Sequence, residues 1–157
     1  MFTKGNIQGV VIRPLVKFLD ERGWLTEVFR QDEVDQQYMP VMGYISMTAA
    51  GVVRGPHEHA DQADLFCFLG PSNFKVYLWD NRKNSPTYMA RQVLYAGEDG
   101  PKSILIPPGV VHAYRNIGQS AGMVVNCPNR LFAGKGKKEP VDEIRHEADP
   151  NTIFIVD

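Results

Sequence analysis

Cysteine is scarce in this sequence, with only Cys67 and Cys127 among 157 residues. The two form no CxxC pair and are too few for a disulfide framework. Cys67 lies within the apolar run LFCFL, where a buried and inert thiol is expected, since no activating neighbour stands beside it. An excess of one charge is also lacking. Seventeen Lys and Arg against eighteen Asp and Glu leave a net charge of −1, which removes the basic face a nucleic-acid partner would need. No apolar run is long enough to cross a bilayer, and the opening MFTKGNIQG has no signal-peptide core. No membrane partner and a cytoplasmic location are therefore expected. Helical periodicity is sparse, with QDEVDQQY and VDEIRHEAD the best candidates. There is no internal repeat, and AGKGKKEP (133–140) is the one linker-like stretch, expected as an exposed loop.

What remains is a globular composition, 43% apolar and 22% charged, in a chain sized for a single domain over residues 1–157. Short β-rich runs dominate: VVIRPLVKF, WLTEVFR, YISMTAAGVVRG, DLFCFLG, NFKVYLWD, ARQVLYAG, KSILIPPG and GMVVNCP. They are punctuated by Gly, Pro, Asn and Asp, and such close spacing predicts an all-β sandwich or barrel with few short helices.

The stretch GVVRGPHEHADQADLFCFLG (51–70) holds the densest chemistry. His57 and His59 stand two apart, so in a strand both point to one face. Asp64 follows, and a second unit, IPPGVVHAYRN, carries Pro107, Gly109, His112 and Asn116. The two motifs in this order resemble the cupin superfamily, which implies a double-stranded β-helix, or jelly-roll barrel. In many cupins three histidines and a carboxylate bind a first-row divalent metal. Here His57, His59, Asp64 and His112 are the candidates for that set.

DERGWLTEVF (20–29), GVVRGPH (51–57), WDNRKNSPTY (79–88) and IPPGVVHAY (106–114) also occur in one order. Together they resemble the dTDP-4-dehydrorhamnose 3,5-epimerase family, over about Ile7 to Asp149. The resemblance implies a homodimeric jelly roll that needs no metal or organic cofactor and moves a proton next to the ketone of a nucleotide-linked 4-keto-6-deoxyhexose. It implies His57 as the base, oriented by Asp149. Arg22, Glu27 and Arg54 would contact the nucleotide diphosphate, for which Arg is suited, and His112 would line the sugar pocket.

Three positions depart from the family pattern. Asp64 stands where a Lys stabilises the enolate, a reversal of charge that would oppose the reaction. Asn126, expected to contact substrate, stands where a Tyr returns a proton, which an amide cannot do. Met42 and Tyr44 replace polar groups ahead of Ser46. Two explanations stay open. Either the enzyme performs a narrower epimerisation with other auxiliary groups, or Asp64 joins the histidines around a metal that supplies the missing positive charge. A metal-dependent cupin acting on another small molecule and a non-catalytic nucleotide-sugar binding module are the competing readings.

Overall fold

The computed structural model describes residues 1–157 and is nearly all β. In chain order the strands are β1 (Thr3–Lys4), β2 (Val11–Pro14), β3 (Phe18–Asp20), β4 (Gly23–Leu25), β5 (Tyr44–Thr48), β6 (Val53–Glu58) and β7 (Asp64–Phe68). There follow β8 (Asn73–Asp80), β9 (Ala90–Gly97), β10 (Lys102–Ile106), β11 (Val110–Asn116), β12 (Gly122–Asn126) and β13 (Ile144–Arg145). One sheet has the order β1-β9-β8-β11-β6-β13 and a second the order β2-β10-β7-β12-β5, while β3 and β4 form a separate hairpin. This is the expected jelly roll. No helix is long and apolar enough to cross a membrane.

Strand alternation explains the core. Phe74, Val76 and Leu78 of β8 and Val110 and Tyr114 of β11 meet Phe66 and Phe68 of β7, Ile104 and Ile106 of β10 and Val124 of β12 between the sheets. The intervening residues of β8 and β11 are buried too. Tyr77, Trp79, Val111 and Ala113 face outward but are covered by Phe154 near the C-terminus, with Phe2 and Val156 at the margin. Leu65 and Leu105 are similarly covered, with Cys127 buried beside them and Val34 and Tyr38 packed against the group. Several strands therefore read as near-continuous apolar runs instead of alternating ones. Cys67 is fully buried, and burial pushes its thiol up to about 12, in keeping with an inert role.

Two helix candidates resolve differently. QDEVDQQY contributes only a single 3-10 turn, Gln36–Tyr38, whose Asp35 side chain accepts from Gln37 N–H. In VDEIRHEAD the backbone of Ile144 and Arg145 is taken up by the free edge of β6, pairing with Glu58 and His57, and only His146–Ala148 turns as 3-10. WLTEVFR is a strand only as far as Leu25. The WDNRKNSPT motif proves to be a clasp between β8 and β9. The fully buried Asp80 carboxylate accepts from Arg82 Nε at 2.8 Å, Ser85 Oγ at 2.6 Å and Thr87 Oγ1 at 2.6 Å.

Candidate functional site

The site is built by register. His112 on β11 stands opposite His57 on β6, and Tyr114 stands opposite Arg54. Arg54 and His57 are three positions apart, while their partners are two positions apart, so a bulge falls at Gly55 and Pro56. A regular strand would send positions three apart to opposite faces; the bulge returns both to the face of His112 and Tyr114. Gly55 permits it. Its φ is +81°, and a Cβ there would lie 2.5 Å from the His112 carbonyl oxygen. This is the physical content of the RGxH spacing.

On the facing sheet, Asp64 shares the inward phase of Phe66 and Phe68, so its carboxylate enters the barrel. Asn126 of β12 pairs with Phe66 on one side and with Tyr44 of β5 on the other. The histidines from one sheet thus meet Asp64, Asn126 and Tyr44 from the other. Asp64 Oδ2 lies 3.0 Å from His59 Nε2 and 3.3 Å from His112 Nε2. Asp64 Oδ1 accepts from Gln62 Nε2 at 2.9 Å and Asn126 Nδ2 at 2.8 Å. Asn126 Nδ2 also donates to the Tyr44 hydroxyl oxygen at 2.9 Å. Candidate ligand atoms of His57, His59 and His112 all lie within 4.8 Å of one another. Asp64 and His112 are buried, whereas His57 is half-buried and makes no hydrogen bond through either ring nitrogen.

Charge separates the three histidines. Burial opposes the charged form of His59, but the Asp64 carboxylate and the Asp142 carbonyl outweigh it and raise the pKa to about 9. Burial, reinforced by His112 and His59, pushes His57 down to about 2, leaving it neutral. Burial alone would raise Asp64; the adjacent His112 and His59 rings outweigh that and hold it far below the usual carboxylate range. Tyr44 is pushed up to about 12, mainly by burial of its hydroxyl, so it keeps its proton.

The other expected residues lie elsewhere. Asp149 is exposed, and its carboxylate accepts Asn151 N–H at 2.9 Å, closing its own turn and making no hydrogen bond to His57. The 3-10 turn at His146–Ala148 accounts for this, because it docks His146 on β6 and carries Asp149 on to solvent. His146 Nε2 lies 2.8 Å from Glu58 Oε1, on the strand face opposite His57. Arg22 sits at the exposed tip of the β3–β4 hairpin, bound to Asp20 through Nε at 3.1 Å. Glu27 pairs with Arg30 at 3.4 Å and lines a separate groove of about 540 Å³ that none of the histidines reaches. Arg54 is exposed and anchored to Thr48 Oγ1 and the Met47 carbonyl.

Asp142 and Gln62 are missed by sequence reasoning. The Asp142 carboxylate accepts N–H groups of Ala60, Asp61 and Gln62 at 2.8, 2.8 and 2.9 Å, and its carbonyl meets His59 Nδ1. It fixes the loop that delivers His59 and Gln62. No local motif announces it, because the contact spans the chain. A cavity of about 920 Å³ opens onto His59, Gln62 and Tyr44 and is rimmed by Arg130, Lys135, Lys137 and Arg145.

Comparison with known proteins places this geometry in a family. The chain is 37% identical to the probable low-salt glycan biosynthesis epimerase of Haloferax volcanii over 81% of each chain. It is also 37% identical to the spore coat polysaccharide biosynthesis protein SpsL of Bacillus subtilis, over 94% of this chain and 93% of that one. Among solved structures, the dTDP sugar isomerase of Desulfovibrio desulfuricans superposes with a TM-score of 0.81 at 22% identity, covering 96% of this chain and 91% of that one. Residues 4–139 match the dTDP-4-dehydrorhamnose 3,5-epimerase family as a whole, and the chain belongs to that family.

Proposed function

We propose that the protein is a nucleotide-sugar epimerase that removes and returns a proton next to the ketone of a nucleotide-linked 4-keto-6-deoxyhexose. The observation that carries this reading is the convergence, inside a barrel of this family, of a histidine with unbonded ring nitrogens and a tyrosine from the opposite sheet. Inverting a carbon centre requires a base on one face of the sugar ring and a proton donor on the other. His57, on the six-stranded sheet, takes the proton. Tyr44, on the five-stranded sheet, returns one; its oxygen already accepts from Asn126, so its own O–H is free to donate. Asn126 therefore acts as the holder of the proton donor and not as the donor itself.

Arg130, Lys135, Lys137 and Arg145 rim the cavity where a diphosphate needs charge and hydrogen-bond donors. By register, His112 and Arg54 lie with His57 on one face of β6 and β11. Family membership favours this reading over chemistry on an unrelated small molecule or a binding module without turnover. A homodimer fits the surface: β5 ends its sheet with an unpaired edge and exposes Ile45 and Met47, and the hairpin exposes Leu19, Trp24 and Leu25. A second copy seated there would cover apolar area and offer Arg22 a site in the partner.

The test is direct. Incubation with a dTDP-linked 4-keto-6-deoxyhexose, followed by proton NMR, should show inversion at the carbon next to the ketone. His57→Gln should abolish it. A sugar recovered unchanged from wild-type protein contradicts the reading.

A further inference from the structure

The two buried atoms that face each other at the centre of the barrel are both left without a hydrogen bond. Asp64 Oδ2 and His112 Nε2 have no donor or acceptor satisfied, although the two residues are 1% and 2% exposed. With Asp64 ionised and His112 neutral, they cannot satisfy one another. His112 Nδ1 lies 3.1 Å from the Val110 carbonyl, which only accepts, so Nδ1 carries the ring proton and Nε2 presents a lone pair. His59 is held the same way, with Nδ1 against the Asp142 carbonyl. In their neutral forms the two imidazoles thus each turn an Nε2 lone pair toward the same carboxylate oxygen. Gln62 Nε2, 3.3 Å from His59 Nε2, and Asn126 Nδ2 are neutral donors nearby, and both already serve Asp64 Oδ1. With no metal bound, the charge between them is a proton on His59 Nε2 shared with Asp64, which still leaves the buried His112 Nε2 unpaired; one metal ion would satisfy all three atoms.

We infer that His59 Nε2, His112 Nε2 and Asp64 Oδ2 form a binding site for a first-row divalent transition-metal ion. The spacing fits. Ligand atoms about 2.1 Å from an ion stand about 3.0 Å apart at a right angle and about 3.4 Å apart at the tetrahedral angle. The two Asp64–histidine separations are 3.0 and 3.3 Å. The surroundings fit as well. Both histidines donate Nδ1–H to backbone carbonyls and the carboxylate is held by Gln62 and Asn126, the orienting contacts that metal ligands ordinarily carry. A site of two imidazoles and one carboxylate selects iron, manganese, nickel or zinc over calcium or magnesium. His57 has no such orienting bond and stays outside the set, free to move a proton. An ion here supplies the positive charge that a developing enolate needs and that Asp64 alone opposes. Occupancy of the site does not depend on the epimerase reading, so metal binding and turnover can fail separately.

The test uses untagged full-length protein, isolated without chelator. Elemental analysis should find about one equivalent of a first-row metal per chain. Dialysis against EDTA should lower the melting temperature, and zinc(II) should restore it, as for a ligand that binds only the folded state. Cobalt(II) in its place should give visible d–d absorption. Asp64→Asn and His112→Gln should each lose the metal, whereas His57→Gln should retain it and its cobalt spectrum. Metal-free wild-type protein that neither binds zinc in calorimetry nor gains melting temperature from it overturns the inference, and that measurement needs no variant to fold. Metal lost in His57→Gln but kept in Asp64→Asn overturns the ligand assignment.

Discussion

Asp80→Asn separates the part of the family signature that holds the fold from the part that performs chemistry. Asp80 is fully buried, and its carboxylate accepts from Arg82, Ser85 and Thr87. Burial alone would raise its pKa; the three side-chain partners outweigh burial and bring it from 3.8 to about 2. A folded-state pKa below the unfolded value stabilises the protein above the unfolded pKa, and that stability is lost as pH falls through the folded pKa. The window is therefore about pH 4 down to about pH 2, and at about 1.4 kcal/mol per pKa unit the contribution is about 2 kcal/mol. At pH 7 the asparagine variant also leaves the half-buried Arg82 without its counter-charge, for a total loss of about 3 kcal/mol. The assay is urea denaturation of wild type and variant from pH 7 to pH 2.5. The stability gap should stay constant down to about pH 4 and then shrink, because acid removes from wild type the charge the mutation has already removed. Below saturation of unfolding, the variant should keep wild-type kcat. A gap independent of pH, or a variant that is stable but catalytically dead, refutes the clasp.

Two further perturbations probe the frame around the site. Gly55→Ala forces an L-residue to φ +81° and drives its Cβ to 2.5 Å from the His112 carbonyl oxygen, so a loss of at least about 2 kcal/mol is expected in denaturant melts, together with most of the activity. Wild-type stability in that variant would mean that the bulge does not set the His57–His112 pairing. Phe154→Ala empties the outer apolar cluster, where the ring lies 5.8 Å from Trp79 and 4.5 Å from His146. A loss of about 3 kcal/mol with KM unchanged is expected, and a near-neutral melt would show that the C-terminal tail does not cover that sheet.

The fold is legible where burial is one-sided or continuous. The runs NFKVYLWD and DLFCFLG correspond to β8 and β7 because apolar residues, many of them aromatic, occupy both their faces. The segment from 26 to 43 is not legible, since the WLTEVFR pattern promises a strand that finds no partner after Leu25. In the site, His57, His59, Asp64, His112 and Asn126 are singled out by the resemblance to the cupin and epimerase motifs, and they lie together. Tyr44 is visible in the sequence only as a departure from the family; it takes the β5–β12 register to set it against Asn126. The C-terminal carboxylate is the clearest miss. An acid from that stretch does reach the histidine loop, but it is Asp142, bonded to backbone, and not Asp149. Which acid arrives depends on where β13 joins β6, and that pairing leaves no local trace in the chain.

Deuterium uptake from solvent, measured by NMR and mass spectrometry on a dTDP-linked 4-keto-6-deoxyhexose, tests the central claim most directly when three proteins are run side by side. Wild type should label the carbon next to the ketone and invert it. His57→Gln should do neither, and Tyr44→Phe should label that carbon while inverting it at a small fraction of the wild-type rate, because the proton leaves to His57 and only its return from the other face is lost. Labelling that survives in His57→Gln, or inversion at full rate in Tyr44→Phe, contradicts the two-sided mechanism.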